Sequence, residues 1–349
     1  MGYLSDELTF WRSPIKCIMN LYSTKMLKVH SLSRLLFAFL IAITCSFSIA
    51  QPYPDKSIKI VVPYSPGAGT DTLARIMGNK FSDLIGQSVV IDNRPGAGGA
   101  IGTELVAKSN PDGYSLLFTP ASFAINSSIF QKLNFDAKAD FNSISLIASL
   151  PVLLAVPSNF PVNSIKELVQ FDQKNPGKLS MGSSGNGTVF HLTGELFKLD
   201  SGINFVHVPF KGGAPAVTAI LGDQINLIFE TPVTLMPHIK SGKLKLIGVA
   251  SNKRLPYLPD VPTFVESGYS SVISENWYAY LAPKGTSQTI VEKIYSTLGK
   301  TIQDPSVQKQ LTEQGADIRY LNPKDTKLFI DKEMIKWEKV IRNSGAAVN

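Results

Sequence analysis

The run 58–64 is apolar at nearly every position, as expected of a strand covered on both faces of a parallel sheet. Leu73, Ile76, Met77, Phe81 and Leu84 follow at helical spacing and predict an amphipathic helix that Thr70 could cap. A strand at 88–91, a glycine turn at 94–99 into a helix from near Thr103, and a strand at 114–119 complete a βαβαβ rhythm. That rhythm predicts a doubly wound α/β fold, its sheets mostly parallel, with ligands at the strand C-termini. The apolar run 144–156, broken by Pro151, leads into a second unit. Its expected strands are 179–182, 205–209, 224–229 and 244–249, and its helices 189–198 and 216–222. Beyond Ala250 the pattern is mostly helical, at 288–301, 305–314 and 323–344, and Ile330, Met334, Trp337 and Ile341 form a docking stripe. The first unit has only three strong strands of its own for helices to cover, so the C-terminal part is expected to return to it. Domain 1 is then 51–148 plus 251–349 and domain 2 is 149–250, with two crossings that form a hinge.

Two of the strand-to-helix junctions carry the same motif, Ser-x-Gly-x-Gly-Thr. One copy is Ser65, Pro66, Gly67, Ala68, Gly69, Thr70, and the other is Ser183, Ser184, Gly185, Asn186, Gly187, Thr188. A strand, a glycine turn and a helix N-terminus make an anion pocket, because free backbone N–H groups and the helix dipole point at one place. Two such turns imply a cleft with one anion-binding jaw per domain. A plain connecting turn is the bland alternative for either copy alone.

Composition narrows the field. The chain of 349 residues is 44% hydrophobic and 17% charged, which fits packed domains. Its net charge of +7 owes part to the first fifty residues, where Arg12, Lys16, Lys25, Lys28 and Arg34 outnumber Asp6 and Glu7. No Lys/Arg-rich run marks a nucleic-acid surface. From Met26 a basic stretch, an apolar run over 35–50 and the small-residue exit Ser48, Ile49, Ala50 read as a signal peptide at 26–50, cut after Ala50. Residues 1–25 read as a non-native upstream extension, with Met26 the true start. A lipidated Cys45 fits less well, because Ile43 and Thr44 are a poor approach. Both cysteines, Cys17 and Cys45, precede the mature chain, so disulfides, thiolate nucleophiles and cysteine metal sites are not expected in it.

The remaining candidates are few. Gly96, Gly98 and Gly102 imitate a dinucleotide fingerprint, but the spacing is one residue too long and no acidic ribose ligand ends the next strand. No Gly-Lys-Ser/Thr follows any glycine turn, and His30, His191, His207 and His238 form no metal-ligand pair. No cofactor and no metal is therefore expected. His191, one turn into the second motif's helix, can face the cleft or be a satisfied core histidine. Glu230 ends an apolar strand, where it can open on the cleft or be solvated. Trp277, Tyr278 and Tyr280 read as core or hinge packing, with one of them a candidate for the pocket wall. With no Gly-x-Ser-x-Gly elbow and no serine with an evident His/Asp partner, no catalytic residue is assigned.

Taken together, these landmarks resemble the tripartite tricarboxylate transporter substrate-binding proteins, the Bug family. The resemblance rests on 63–75, 93–99, 110–114, 183–192, 207–213, 251–254, 259–263 and 282–286, in order along nearly the whole mature chain. It implies a two-domain Venus-flytrap receptor in the periplasm, presenting a small carboxylate to the subunits of a membrane transporter. A sensor kinase is the alternative partner, and an exported carboxylate-processing enzyme the less favoured alternative function. It implies a monomer, no enzyme activity and no nucleic acid. Carried over residue by residue, the resemblance puts ligand contacts on Tyr64, Ser65, Pro66, Gly67, Ala68, Gly69, Thr70 and Asp71, and on Thr119 and Ser122. Across the cleft they fall on Ser183, Ser184, Gly185, Asn186, Gly187, Thr188 and His191. The family commonly has Asp at the position of Glu230 and a second glycine at that of Ala68. The longer Glu230 is expected to narrow or re-aim the pocket.

Overall fold

The computed structural model describes residues 53–347. The readings on the signal peptide, its cleavage and both cysteines lie outside those residues. Strand β1 (Ile58–Val62) feeds helix α1 (Gly69–Ile85), and β2 (Val89–Asn93) feeds a short 3₁₀ turn and α2 (Ala100–Ala107), which starts three residues before Thr103. Strand β3 (Ser115–Pro120) and α3 (Ser122–Ile129) follow, then the long β4 (Phe141–Pro151). The second unit holds β5 (Leu153–Pro157), α4 (Ile165–Lys174), β6 (Ser180–Ser183), α5 (Val189–Ser201), β7 (Val206–Pro209) and α6 (Gly213–Leu221). It continues through β8 (Leu227–Glu230), α7 (Pro232–Lys240) and β9 (Leu244–Val249). The chain then forms β10 (Glu275–Pro283), α8 (Gln288–Gln303), α9 (Pro305–Glu313), β11 (Asp317–Ile318) and α10 (Pro323–Ser344).

Two sheets result, in the orders β11-β4-β10-β3-β1-β2 and β7-β6-β8-β5-β9. Both are mixed. The parallel expectation holds for the βαβ parts, where β1 pairs with β2 and β3, and β6 with β7 and β8. The strands that enter from the other unit run antiparallel: β10 against β3 and β4, and β5 against β8 and β9. The first sheet thus has six strands and not three. Its centre is β10, whose Trp277, Tyr278 and Tyr280 are fully buried, with Tyr280 and Phe118 rings 4.7 Å apart. The stretch between β9 and β10 packs on the second unit through Phe264, which stacks on Phe229 of β8 at 5.9 Å and contacts Phe197 of α5 edge-on at 5.0 Å. Three chain passages meet between the sheets. Ala250 N donates to Val152 O at 2.9 Å, and Ser274 N donates to Ala250 O at 3.0 Å.

Candidate functional site

The twin motifs fold differently. In the first, Asp71 captures the turn: its carboxylate accepts from Gly67 N at 2.9 Å, from Arg75 Nε at 2.9 Å and from Asn93 Nδ2 at 3.0 Å. Burial raises its pKa, but the Arg75, Gly67 and Asn93 donors outweigh that and hold it below the ordinary value. The helix therefore starts at Gly69 with Ala68 in the cap position, and Thr70 makes no capping bond, contrary to the sequence expectation. In the second, Val189 stands where Asp71 does and offers no acceptor. The cap falls to Thr188, whose hydroxyl accepts from His191 N at 3.4 Å and donates to Gly185 O at 2.7 Å.

Both turns open on one cavity between the sheets. Its lining includes Gly69 and Thr70 of α1, Ser122 of α3, Val189 and Phe190 of α5, Gly213 of α6 and Thr231 before α7. These are the first turns of five helices, each with backbone N–H groups that have no partner inside the helix. Tyr64, Ala68, Pro120, Ser184, Thr188, Glu230, Asn276 and Tyr278 complete the wall, and no lysine, arginine or histidine is among the lining residues. Tyr64 Oη lies 2.7 Å from Ser122 Oγ, and Asn276 Nδ2 donates to Tyr278 Oη at 2.8 Å. The cavity is small, about 20 Å³, room for roughly one water. A second space of about 210 Å³ adjoins it, sharing Tyr64 and Ser184 and bounded by Phe130, Phe210 and Lys211. Ser65 Oγ donates to Lys211 O at 2.8 Å, joining the two sides of the cleft.

Glu230 is the one carboxylate in the cavity wall. It is 3% exposed; Ser184 Oγ donates to Oε1 at 2.6 Å, and Thr231 N and Thr234 Oγ1 donate to Oε2 at 2.9 and 3.2 Å. Burial raises its pKa to about 7 even though all these donors pull it down.

Of the residues expected at the site, Tyr64, Ala68, Gly69, Thr70, Ser122, Ser184, Thr188 and Glu230 line this cavity, and Gly185 and Asn186 line its neighbour. Pro66 and Gly67 are exposed, and Asp71 is spent on its turn. Thr119 is buried on β3. Ser183 lies behind the turn, its hydroxyl 2.6 Å from His207 Nε2. His191 is not in the wall. It stacks on His207 at 4.0 Å, and burial, His207 and Lys198 push its pKa down to about 3. Pro120 falls within the expected stretch 119–122; sequence reading missed Val189, Phe190, Gly213, Thr231 and Asn276, while Tyr278 is the member of the aromatic cluster that reaches the wall.

The histidine pair should make stability sensitive to acid. Burial also lowers His207, to about 4. A base whose pKa is depressed by folding stabilises the fold above its ordinary value of 6.5, and that contribution is lost as pH falls through the folded value. The melting-temperature advantage of wild type over His191→Gln should shrink as pH is lowered from 6.5 towards 4. An advantage that stays constant over that range would remove the pair as the acid-sensitive element.

Residues 73–346 match the sequence model of the tripartite tricarboxylate transporter family receptor. The structure is similar to that of the periplasmic binding protein BugD, with 34% identity and a TM-score of 0.81 over 84% of this chain and 99% of that one. It is also similar to Rpa4515 of Rhodopseudomonas palustris, solved with adipate, at 32% identity and TM-score 0.81 over 84% and 98% of the two chains. MatC of the same organism, solved with bound malate, has 28% identity and a TM-score of 0.79 over 83% and 100%. The two-domain α/β architecture of periplasmic binding proteins is therefore that of this chain.

Proposed function

We propose, from the premise that this chain belongs to the tripartite tricarboxylate transporter receptor family, that it captures a small carboxylate between its two lobes and presents it to a membrane transporter. The observation that carries this reading is the meeting of five helix first turns on one cavity whose wall holds no cationic side chain. An anion at such a terminus gains about 0.3–1 kcal/mol when exposed and up to about 2 when partly buried. Hydrogen bonds to a charged group add about 1.5–3 kcal/mol each, before desolvation and ordering are subtracted. A micromolar Kd, about −8 kcal/mol, is attainable without arginine. Adipate and malate in two relatives make dicarboxylates the first ligands to try.

The lobes must part to admit such a ligand and then close on it around a wider cavity than the one of about 20 Å³ seen here. We place the hinge at the passages through Val152, Ala250 and Ser274, with lobe 1 as 51–148 plus the chain from β10 onward. Only the closed state engages both jaws, so ligand shifts the opening equilibrium and a transporter subunit can read the change. Localisation in the periplasm after removal of residues 26–50 belongs to the same reading. A thermal-shift screen of di- and tricarboxylates, aromatic acids and amino acids tests it. A ligand at a hundred times its Kd adds about 2.7 kcal/mol, and at least one dicarboxylate should raise the melting temperature. No shift with any carboxylate would sink the proposal.

A further inference from the structure

A receptor for anions that buries a carboxyl group of its own in the binding wall has an electrostatic problem. Glu230 sits inside the cradle, and a Cβ on Gly213, the first residue of α6, would lie 2.9 Å from its Oε1. The groups that face it are all neutral. Tyr64 from the β1–α1 turn and Tyr278 from β10 are the titratable ones, and both are held above their ordinary pKa, first by burial and also by Glu230 itself. The β6–α5 turn contributes the Ser184 hydroxyl, and α7 contributes Thr231 and Thr234. The charged residues nearby have other partners. Arg75 is engaged by Asp71, Lys198 by Glu195, and Lys211 lines only the adjoining space. His191, on α5, stacks on His207 away from the wall. A ligand carboxylate entering this cavity would thus meet a second carboxylate with no cation between them. Two such groups in a low-dielectric site share one proton.

We propose that Glu230 binds the ligand as a neutral carboxylic acid, donating its proton to the ligand carboxylate, so that capture of the anion is coupled to uptake of one proton. The inference rests on the carboxylate-receptor reading above. The proton belongs on Oε1. Oε2 accepts the backbone N–H of Thr231, which can only donate, whereas the Ser184 hydroxyl at Oε1 can rotate away. Balance is simple: solvent supplies one proton to Glu230, no covalent bond changes in the ligand, and the proton returns to solvent on release. Glu230 already carries its proton on the acid side of about 7, so uptake is small there and approaches one per ligand above it. The device selects an anionic group at this position and disfavours a ligand ammonium, which would prefer the ionised form.

The test is calorimetry on the mature protein with adipate, malate and aspartate at pH 6 and pH 8, each in two buffers of different ionisation enthalpy. For adipate or malate, wild type should take up close to one proton per ligand at pH 8, and its Kd should rise about tenfold from pH 6 to pH 8. Glu230→Gln, a permanently neutral donor of the same shape, should lose both the uptake and the pH dependence, and bind more tightly than wild type at pH 8. Dicarboxylate binding by wild type with no uptake and a flat pH profile overturns the proton coupling and leaves the receptor reading standing. Preference for aspartate, lost in Glu230→Gln, overturns it in favour of an ionised Glu230 pairing with an ammonium. No binding of any of the three at either pH sinks the carboxylate reading and this inference together. The wild-type uptake needs no variant, so a poorly folding Gln substitution does not block the test.

Discussion

Gly98→Ala is expected to weaken carboxylate binding by about 100-fold or more, roughly 2.7 kcal/mol, while leaving the protein folded. Gly98 lies in the 3₁₀ turn before α2 at φ +58°, and a Cβ there would sit 2.1 Å from the carbonyl oxygen of Asn186. Asn186 belongs to the second motif, on the opposite side of the cleft. The obstacle is backbone, held in a turn whose Gly185 and Gly187 both have positive φ, so it cannot swing aside as a side chain would. Separating the lobes is the relief left, and that removes one jaw from the ligand. Strain from the left-handed conformation costs a further 1–2 kcal/mol or so, spread over open and closed states alike. Gly187→Ala provides the contrast. Its Cβ would meet Asn126 Oδ1 at 2.7 Å and Ile129 Cγ2 at 3.0 Å, which are side-chain atoms that can shift. A smaller loss, about tenfold or less, is expected there. Calorimetry gives both affinities, and small-angle scattering with ligand present should show Gly98→Ala remaining open. An unchanged Kd for Gly98→Ala would refute the close approach of Gly98 to Asn186 as part of the ligand-bound state.

The sequence made the frame of this fold legible where a single element carries its own signal. The buried stripe Ile330, Met334, Trp337 and Ile341 lies on α10, whose bounds are the expected 323–344. Strands β1, β3 and β9 fall within a residue or two of their expected positions. Strand β10 was not legible, because its aromatic residues Trp277, Tyr278 and Tyr280 occur at consecutive and alternate positions and read as packing without a face. They are buried on both faces because β10 lies in the middle of the sheet, with one core packed on the Trp277 face and another on the Tyr278 and Tyr280 face, a fact of topology and not of local pattern. Helix α4 carries its own local signal. Ser164 accepts from Glu167 N, and the Glu167 carboxylate accepts from Asn163 N at 2.7 Å, a capping arrangement visible as Ser-x-x-Glu.

The site divides the same way. The two glycine turns and Glu230 were visible as motifs, yet the twins differ in helix register because one residue, Asp71 against Val189, changes who caps the turn. The walls contributed by Gly213, Thr231 and Asn276 depend on which strand ends lie side by side, and no spacing along the chain encodes that.

Trp337→Ala should have the largest effect on stability, a loss of about 3–5 kcal/mol. Its side chain is fully buried, its indole N–H donates to Glu333 Oε2 at 3.0 Å, and the indole of Trp277 on β10 donates to the same oxygen at 3.1 Å. Phe329 packs edge-on against Trp277 at 5.6 Å, so two turns of α10 grip the centre of the first sheet. The same helix packs on α3 and α5, two of the helices whose first turns line the cavity. Truncation therefore removes the largest member of the stripe and leaves a void where the last helix braces the site. Trp337→Phe keeps most of the apolar volume and loses one hydrogen bond, for which about 1–2 kcal/mol is expected. Denaturant titration of the three proteins measures the order, and each should still bind ligand below its transition, because no atom of Trp337 touches the cavity. A loss under about 1 kcal/mol for Trp337→Ala would mean that α10 is held by its flanking contacts and not by the stripe.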